Sequence, residues 1–305
     1  MNRISYIPHA SIDTARWDAC IEEAHNGLIY GYSWYLNAVT EKWDALVLND
    51  YEAVMPLTWN KKWGIHYLYQ PYFCASLGVF SRQQIDADLM HSFLKKIPPR
   101  FRYTDIYLNH GNLFAVKDFP LTQRVNYCIS LNQSYAAISS KYRNNLTRNI
   151  KKAKEANLEV RRHVPLPDIL SLAKETLQRV SDINDQQVER FHTLYQAVVS
   201  YSRAETLGIF AVSGELLASA VFFYSHKRWY YILVGNHPNG KTLGASHYLI
   251  DRFIAHHAER DTVLDFEGSD LRNLAFFYSS FGAHEEFYPA LRMNRLPALL
   301  KWLKD

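Results

Sequence analysis

The sequence predicts an α+β fold of two successive, similar domains, residues 1–130 and 131–305, each a mixed, mostly antiparallel sheet flanked by helices. Three observations predict it. A chain of 305 residues exceeds what one typical core supports and suits two domains of roughly 150. A tetrapeptide recurs at an offset of 166 residues, as Asn60-Lys61-Lys62-Trp63 and His226-Lys227-Arg228-Trp229. The elements around the two copies also run in the same order, which carries more weight than the four matched positions. One continuous large α/β domain is the alternative.

The elements justify themselves in turn. Ahead of the first tetrapeptide, Ile29 to Trp34 reads as an aromatic helix start, whose Tyr30 and Tyr32 either pack in a core or line a substrate groove. A strand-like run from Ala53 to Trp59 precedes the tetrapeptide and an aromatic run from Ile65 to Tyr69 follows it. A helical stretch, Asp88 to Lys96, and a strand, Asp105 to Leu108, come next. The second copy repeats this with Ser219 to Ser225, Tyr230 to Val234, Leu243 to Glu259 and Val263 to Phe266. With 48% hydrophobic residues, 37 of the side chains being Tyr or Phe, the chain has material for both cores and for aromatic-lined grooves.

Composition excludes several classes. Cys20, Cys74 and Cys128 are odd in number, far apart and without a Cys-x-x-Cys pair, which argues against a disulfide framework and a zinc site and for a reducing compartment. His256-His257 followed by Glu259 is not a metal spacing, so no metal is expected. Met1 to Asp13 lacks the apolar core of a leader, and no run approaches a membrane span. A soluble, unprocessed, cytoplasmic protein is expected.

The formal charge of +4 is unevenly spread. Between Lys141 and Arg162 stand eight Lys or Arg and two Glu, an excess of +6, so the other 283 residues sum to −2. Ser139 and Ser140 offer caps for a helix from Lys141 to Ala156, with Asn157 as its stop. Tyr142, Leu146, Ile150 and Ala153 recur at helical spacing and face a core, leaving Lys141, Arg143, Asn144, Arg148 and Lys152 for a cationic face. That face is either a solvated surface or a site for an anionic substrate, RNA included.

Near the C-terminus, Leu264 leads into Asp265-Phe266-Glu267-Gly268-Ser269, and a helix-like segment closes on Phe277-Tyr278-Ser279-Ser280-Phe281-Gly282. On a strand, Asp265 and Glu267 share one face and Phe266 takes the other. A strand delivering two carboxylates, a turn, and a helix presenting a tyrosine one turn before glycine form one wall of a candidate active site. Each has a structural alternative: Asp265 as a turn cap or ion-pair partner, Glu267 as a surface group, Tyr278 as a core aromatic in the series Ala275, Tyr278, Phe281.

The Tyr278-x-x-x-Gly282 spacing resembles the C-terminal motif of GNAT-superfamily acyltransferases, whose tyrosine protonates the leaving thiolate. Lys141 to Ala153 with Leu158-Glu159-Val160, the Asp265-Phe266-x-Gly268 turn and Phe277-x-x-x-Phe281-Gly282 together resemble the second half of FemAB-like proteins, which hold two GNAT-like domains in one chain. The likeness covers roughly residues 141 to 290; the first half matches only in pattern. It implies acyl transfer to an amine, with Tyr278 as acid and Asp265 or Glu267 as base or amine anchor. Where peptidyltransferases of that family tend to carry lysine after the first phenylalanine, this chain has Tyr278, which favours an acyl-CoA co-substrate over aminoacyl-tRNA. The acceptor implied is an anionic small molecule or cell-envelope precursor, and DNA is not a partner. The absence of Gly-x-Ser-x-Gly fits a reaction without a covalent nucleophile.

The resemblance places the donor's pyrophosphate in the loop His237-Pro238-Asn239-Gly240-Lys241-Thr242-Leu243-Gly244-Ala245-Ser246, where small residues admit phosphates to backbone amides at a helix N-terminus. The match to the GNAT loop is partial. A plain Pro-Asn-Gly turn explains Pro238 to Gly240 equally well. A double-GNAT module that binds an anionic ligand without catalysis is the remaining alternative.

Overall fold

The structure, a computed structural model, describes residues 3–180, 185–268 and 271–297, of residues 175–180 only the backbone. Ser269, in the carboxylate turn, lies outside them. In chain order the elements are β1 (Ile4–Ile7), α1 (Thr14–Glu23), α2 (Ser33–Val39), β2 (Trp43–Leu48), β3 (Ala53–Lys62), β4 (Ile65–Tyr69), β5 (Phe80–Ser81), α3 (Ala87–Lys95), β6 (Phe101–Tyr107) and β7 (Leu121–Ser130). There follow α4 (Tyr135–Ser139), α5 (Asn144–Glu155), β8 (Glu159–Arg162), α6 (Leu166–Val180), α7 (Asp185–Tyr201), β9 (Arg203–Phe210), β10 (Leu216–Ser225) and β11 (Arg228–Asn236). The last are α8 (Pro238–Leu243), α9 (Ala245–His257), β12 (Val263–Asp265), α10 (Arg272–Ser279) and β13 (His284–Asn294).

The chain divides into two units, one of Met1–Val125 with the segment from Phe287 onward, the other of Asn126–Glu286. The observed division lies five residues before the expected one at 130, and the segment from Phe287, read with the second domain, groups with the first. The cause is β13, whose Ala290–Asn294 pair antiparallel with Tyr103–Tyr107 of β6. Its Leu291 and Met293 share a core with Leu46, Leu68, Phe93 and Phe101. In unit 1 the strands run β1-β2-β3-β4-β6-β13, antiparallel except for the parallel pair β4–β6, with β5 beside β3.

Unit 2 follows the same plan. Its strands run β8-β9-β10-β11-β12-β7, antiparallel except for the parallel pair β11–β12. The Phe222 ring of β10 stacks on Phe253 of α9 at 3.8 Å between centroids, and Trp229 meets Phe253 edge-on at 5.5 Å. His257 sits under Trp229 and bonds Glu205 at 3.0 Å.

Each repeated tetrapeptide lies at a two-residue hairpin turn, but in different registers. The first turn is Trp63 (φ 51) and Gly64 (φ 80), the second His226 (φ 50) and Lys227 (φ 55), the paired positive φ of the hairpin turns that match strand twist. Matching the strand ends gives an offset of 163, Lys62 with Ser225 and Ile65 with Arg228, three fewer than the tetrapeptide offset. Trp63 is therefore a turn residue, 79% exposed, and Trp229 a buried strand residue. Element order was the sound part of the repeat.

Candidate active site

β11 and β12 pair only through Arg228–Tyr230 and Val263–Asp265. Beyond Tyr230 the strands part. Along that stretch the pairing of β11 with β10 shifts, Leu233 facing Val221 and Tyr231 facing Phe222, so that Ile232 is an extra residue on β11. Among the described residues no strand covers Tyr231–Asn236 on the side away from β10, which leaves a length of backbone edge open beside β12.

Tyr278 stands on α10 and packs against Phe266, the residue that follows β12. Its ring stacks on Phe266 at 4.5 Å and meets Tyr127 at 6.2 Å. Burial, then the charges of Glu267 and Asp265, hold its phenol well above the ordinary value, so it stays protonated at neutral pH. Tyr231, the first residue of the open β11 edge, meets the same Phe266 ring edge-on at 5.9 Å, and burial, then the neighbouring Tyr278, hold its phenol up in the same way.

The two carboxylates take different parts. β12 ends at Asp265, and Glu267 stands in the following turn with φ 61, so the strand alternation that put both on one face does not apply. Asp265 is 4% exposed and accepts from Arg228 Nη1 at 2.7 Å, Asn126 Nδ2 at 2.8 Å and the Glu267 backbone N–H at 2.7 Å. Arg228 also holds Glu286 through both terminal nitrogens, at 2.9 and 2.7 Å. Asp265 thus builds the turn and anchors the ion network, while Glu267, half-buried, carries the larger of the two charges felt by Tyr278. Cys128, Asp265 and Glu286 come close enough to resemble a metal site, but the Arg228 guanidinium already supplies the cation there.

The basic helix meets the same wall. It begins at Asn144 with Arg143 as a cap lacking a side-chain bond; Ser139 ends α4 and Ser140 caps its C-terminus, so neither starts the basic helix. Leu146, Ile150 and Ala153 are buried as the spacing required. Arg143 donates its N–H to the Ser280 carbonyl at 2.9 Å and lies 5.2 Å over Phe276. A Cβ on Gly282 (φ 73) falls 2.7 Å from Lys141 Cβ, so the glycine after Tyr278 admits the start of the basic segment. Lys141 and Arg143 therefore border α10 and Asn144 opens α5, whereas Arg148 and Lys152 are exposed farther along it.

The expected donor loop is helical. His237 caps α8, its Nδ1 accepting from the Asn239 N–H at 3.3 Å, and Pro238 takes the first helical position. A Cβ on Gly240 falls 2.2 Å from the Leu217 carbonyl, and one on Gly244 (φ 73) falls 2.5 Å from that of Asn149. Both glycines thus have a reason in the packing of the chain on itself. Lys241 is exposed, Ala245 is buried and Ser246 bonds Asn236. The ladder of α9 closes first from Tyr248 to Gly244 at 3.0 Å, so the amides of Ala245, Ser246 and His247 form its N-terminus. His247, which sequence reasoning passed over, lies 4.8 Å edge-on from Phe277 with Phe281 beyond at 6.3 Å, and burial lowers its pKa to about 4. Its position three residues after Gly244 was the available signal.

Tyr30 and Tyr32 are in the other unit. Tyr30 is 1% exposed against Tyr35, and Tyr32 stacks on Trp34 and bonds Glu22, so core packing uses both rings that the groove reading required.

Residues 140–272 match the family model of the acetyltransferase (GNAT) domain, a span that includes α5, the open edge of β11, α9 and β12 and stops before Tyr278. Among solved structures, FemX superposes with a TM-score of 0.65 at 13% identity, over 96% of this chain and 99% of that one. The C-terminal domain of a protein named as a lysylphosphatidylglycerol synthetase from Agrobacterium fabrum gives 0.56 at 9%, over 95% and 94%. The L-PGS structure from Bacillus licheniformis gives 0.56 at 11%, over 95% of each chain. At these identities the fold is what is shared. No curated protein matches the sequence. Among the described residues, no helix is long and apolar enough to cross a membrane.

Proposed function

We propose that the chain, which carries a GNAT acetyltransferase domain over residues 140–272 and has the fold of FemX, is an N-acyltransferase taking its acyl group from acyl-CoA in the cytoplasm. The observation that carries this reading is the open edge of β11 from Tyr231 onward, with Tyr231 and Tyr278 packed on the same Phe266 ring. An extended thioester arm lies along such an edge as an added strand, bringing its carbonyl to the bulge at Ile232 and its sulfur toward Tyr278. The donor's phosphates then fall to the N-terminus of α9, near Lys241.

The amine attacks the thioester carbonyl, the C–N bond forms, and the C–S bond breaks with its electron pair left on sulfur. Glu267 takes the proton the amine loses. Tyr278, kept neutral by burial, donates a hydrogen bond to the departing sulfur. A phenol with a raised pKa is a reluctant acid, so its part is to stabilise the thiolate until a proton follows. Asp265 positions the turn that presents Glu267. Lys141, Arg143 and the N-terminus of α5 supply attraction for an anionic acceptor, and the lysylphosphatidylglycerol synthetase name among the neighbours favours a cell-envelope precursor.

The test combines two measurements. Saturating CoA raises the unfolding temperature of the protein, and mass spectrometry of an amine pool offered acetyl-CoA or charged tRNA shows acylated product with the thioester. No thermal shift and product only with charged tRNA overturns the thioester reading in favour of a FemAB-type peptidyltransferase; ligand binding without product in either reaction makes the chain a binding module.

A further inference from the structure

Unit 1 contains a cavity of about 380 Å³ lined by Gly64, Ile65, His66, Arg100, Arg102, Arg295, Leu296 and Pro297, all outside the acetyltransferase-matched region. Two segments, the start of β6 and the end of β13, bring its arginines together. Arg100 immediately precedes β6, and Asp44 holds it at 2.8 Å while its guanidinium lies over Tyr6, Trp59 and Phe101 at 5.2, 5.4 and 4.8 Å. Arg102 is a bulge: His66 pairs with Phe101 and Tyr67 with Tyr103, leaving Arg102 as an extra residue on β6. The Arg295 N–H donates to the Arg102 carbonyl at 2.8 Å, which fixes those two positions against each other.

Of the three guanidiniums at this opening, Arg100 is paired, to the buried Asp44. Among the described residues, no ion pair engages Arg102 or Arg295, although Arg295 Nη2 approaches Met293 Sδ at 3.6 Å. The surrounding field is positive as well: the His66 imidazole is held below its usual value by burial and then by Lys61, Arg100 and Lys42. Such a gathering is self-repulsive until an anion enters, and guanidinium forks match phosphate oxygens two at a time. The volume is that of a small-ligand pocket.

We propose that this cavity binds the phosphate group of an anionic ligand through Arg100, Arg102 and Arg295. The source of the phosphate is a soluble pyrophosphate or phosphate ester, or a phospholipid headgroup. Next in the chain to the lining residue Gly64, Trp63 stands 79% exposed with the Lys62 ammonium 4.9 Å over its ring, and tryptophan beside lysine suits a membrane interface.

Calorimetry with inorganic pyrophosphate and flotation with vesicles of phosphatidylglycerol and phosphatidylcholine are run on the full chain. The pocket variant is Arg102→Gln/Arg295→Gln, and the control is Lys151→Gln/Lys154→Gln on α5, which removes the same charge elsewhere. Binding to pyrophosphate or to anionic vesicles, weakened at least tenfold by the pocket variant and within twofold of wild type in the control, is the result expected. Pyrophosphate binding identifies a soluble ligand, and vesicle binding that Trp63→Ala abolishes identifies a headgroup. No binding in either arm, or equal weakening by both variants, overturns the proposal. Arg102 and Arg295 are exposed, so the variant is expected to fold; should its melting temperature fall, Arg102→Gln alone decides by the same criterion.

Discussion

Acid titration of His247 tests the packing of α9 against α10 and, through it, the candidate site. Burial among Phe277 and Phe281 lowers its pKa to about 4, against about 6.5 in the unfolded chain. An imidazole with a depressed folded-state pKa favours the fold while neutral. Its contribution is complete above pH 6.5, falls as the unfolded chain gains its proton, and levels off below pH 4. A difference of about 2.5 in pKa at about 1.4 kcal/mol each gives about 3.5 kcal/mol lost across that window, an upper value because water reaches part of the ring. Urea unfolding of wild type and His247→Phe at pH 7.5, 6, 5 and 4 reads this as a shrinking stability difference. NMR titration of the His247 ring places its midpoint near 4. A midpoint above 6, or two proteins that lose stability in parallel, refutes the buried, neutral imidazole. Phosphate bound at the N-terminus of α9 adds negative charge beside the ring and raises the midpoint, so the same resonance reports donor binding.

Tyr278→Phe removes one hydroxyl and keeps the stack on Phe266, so kcat falls about a hundredfold with the melting temperature nearly unchanged; a wild-type rate removes Tyr278 from the chemistry. Gly244→Val places a Cβ 2.5 Å from the Asn149 carbonyl at φ 73 and costs about 2 kcal/mol or more in denaturant unfolding, whatever the loop binds, so Lys241→Glu on the exposed face of α8 is the better probe of CoA stabilisation. Arg228→Met leaves the buried Asp265 and the part-buried Glu286 without their cation and costs about 3 kcal/mol, much of it recovered when Asp265→Asn and Glu286→Gln are added. Arg148→Glu/Lys152→Glu lowers acceptor affinity and flattens its salt dependence if α5 attracts an anion along its length; an unchanged affinity confines recognition to Lys141, Arg143 and Asn144.

The sequence displayed local features and concealed long-range ones. The apolar seam of the basic helix is a property of neighbours in one helix, so Leu146, Ile150 and Ala153 were legible as its buried face. Hairpins were legible for the same reason, although the tetrapeptide aligned Trp63 with Trp229 when the turns differ by three residues. An ion-pair role for Asp265 is legible as one of its alternatives, but the partner is not: Arg228 lies 37 positions from Asp265 and 58 from Glu286, separations over which no periodicity speaks. Gly240 and Gly244 were visible as small residues; that each touches a carbonyl of a different element, Leu217 or Asn149, is written only in three dimensions.

The strand that completes the unit 1 sheet pairs Tyr107 with Ala290, so the whole of unit 2 is spelled out between the two partners. A ribosome releasing the chain from its N-terminus delivers β1 to β6 long before Leu291 and Met293 exist to fill their core. Until then the edge of β6 is bare and the nascent unit must be kept from pairing with other edges. Unit 2, whose own closing strand β7 emerges ahead of the rest of it, has every strand in hand when β12 appears. The half made second is therefore the first able to finish its sheet, and the half made first waits for β13.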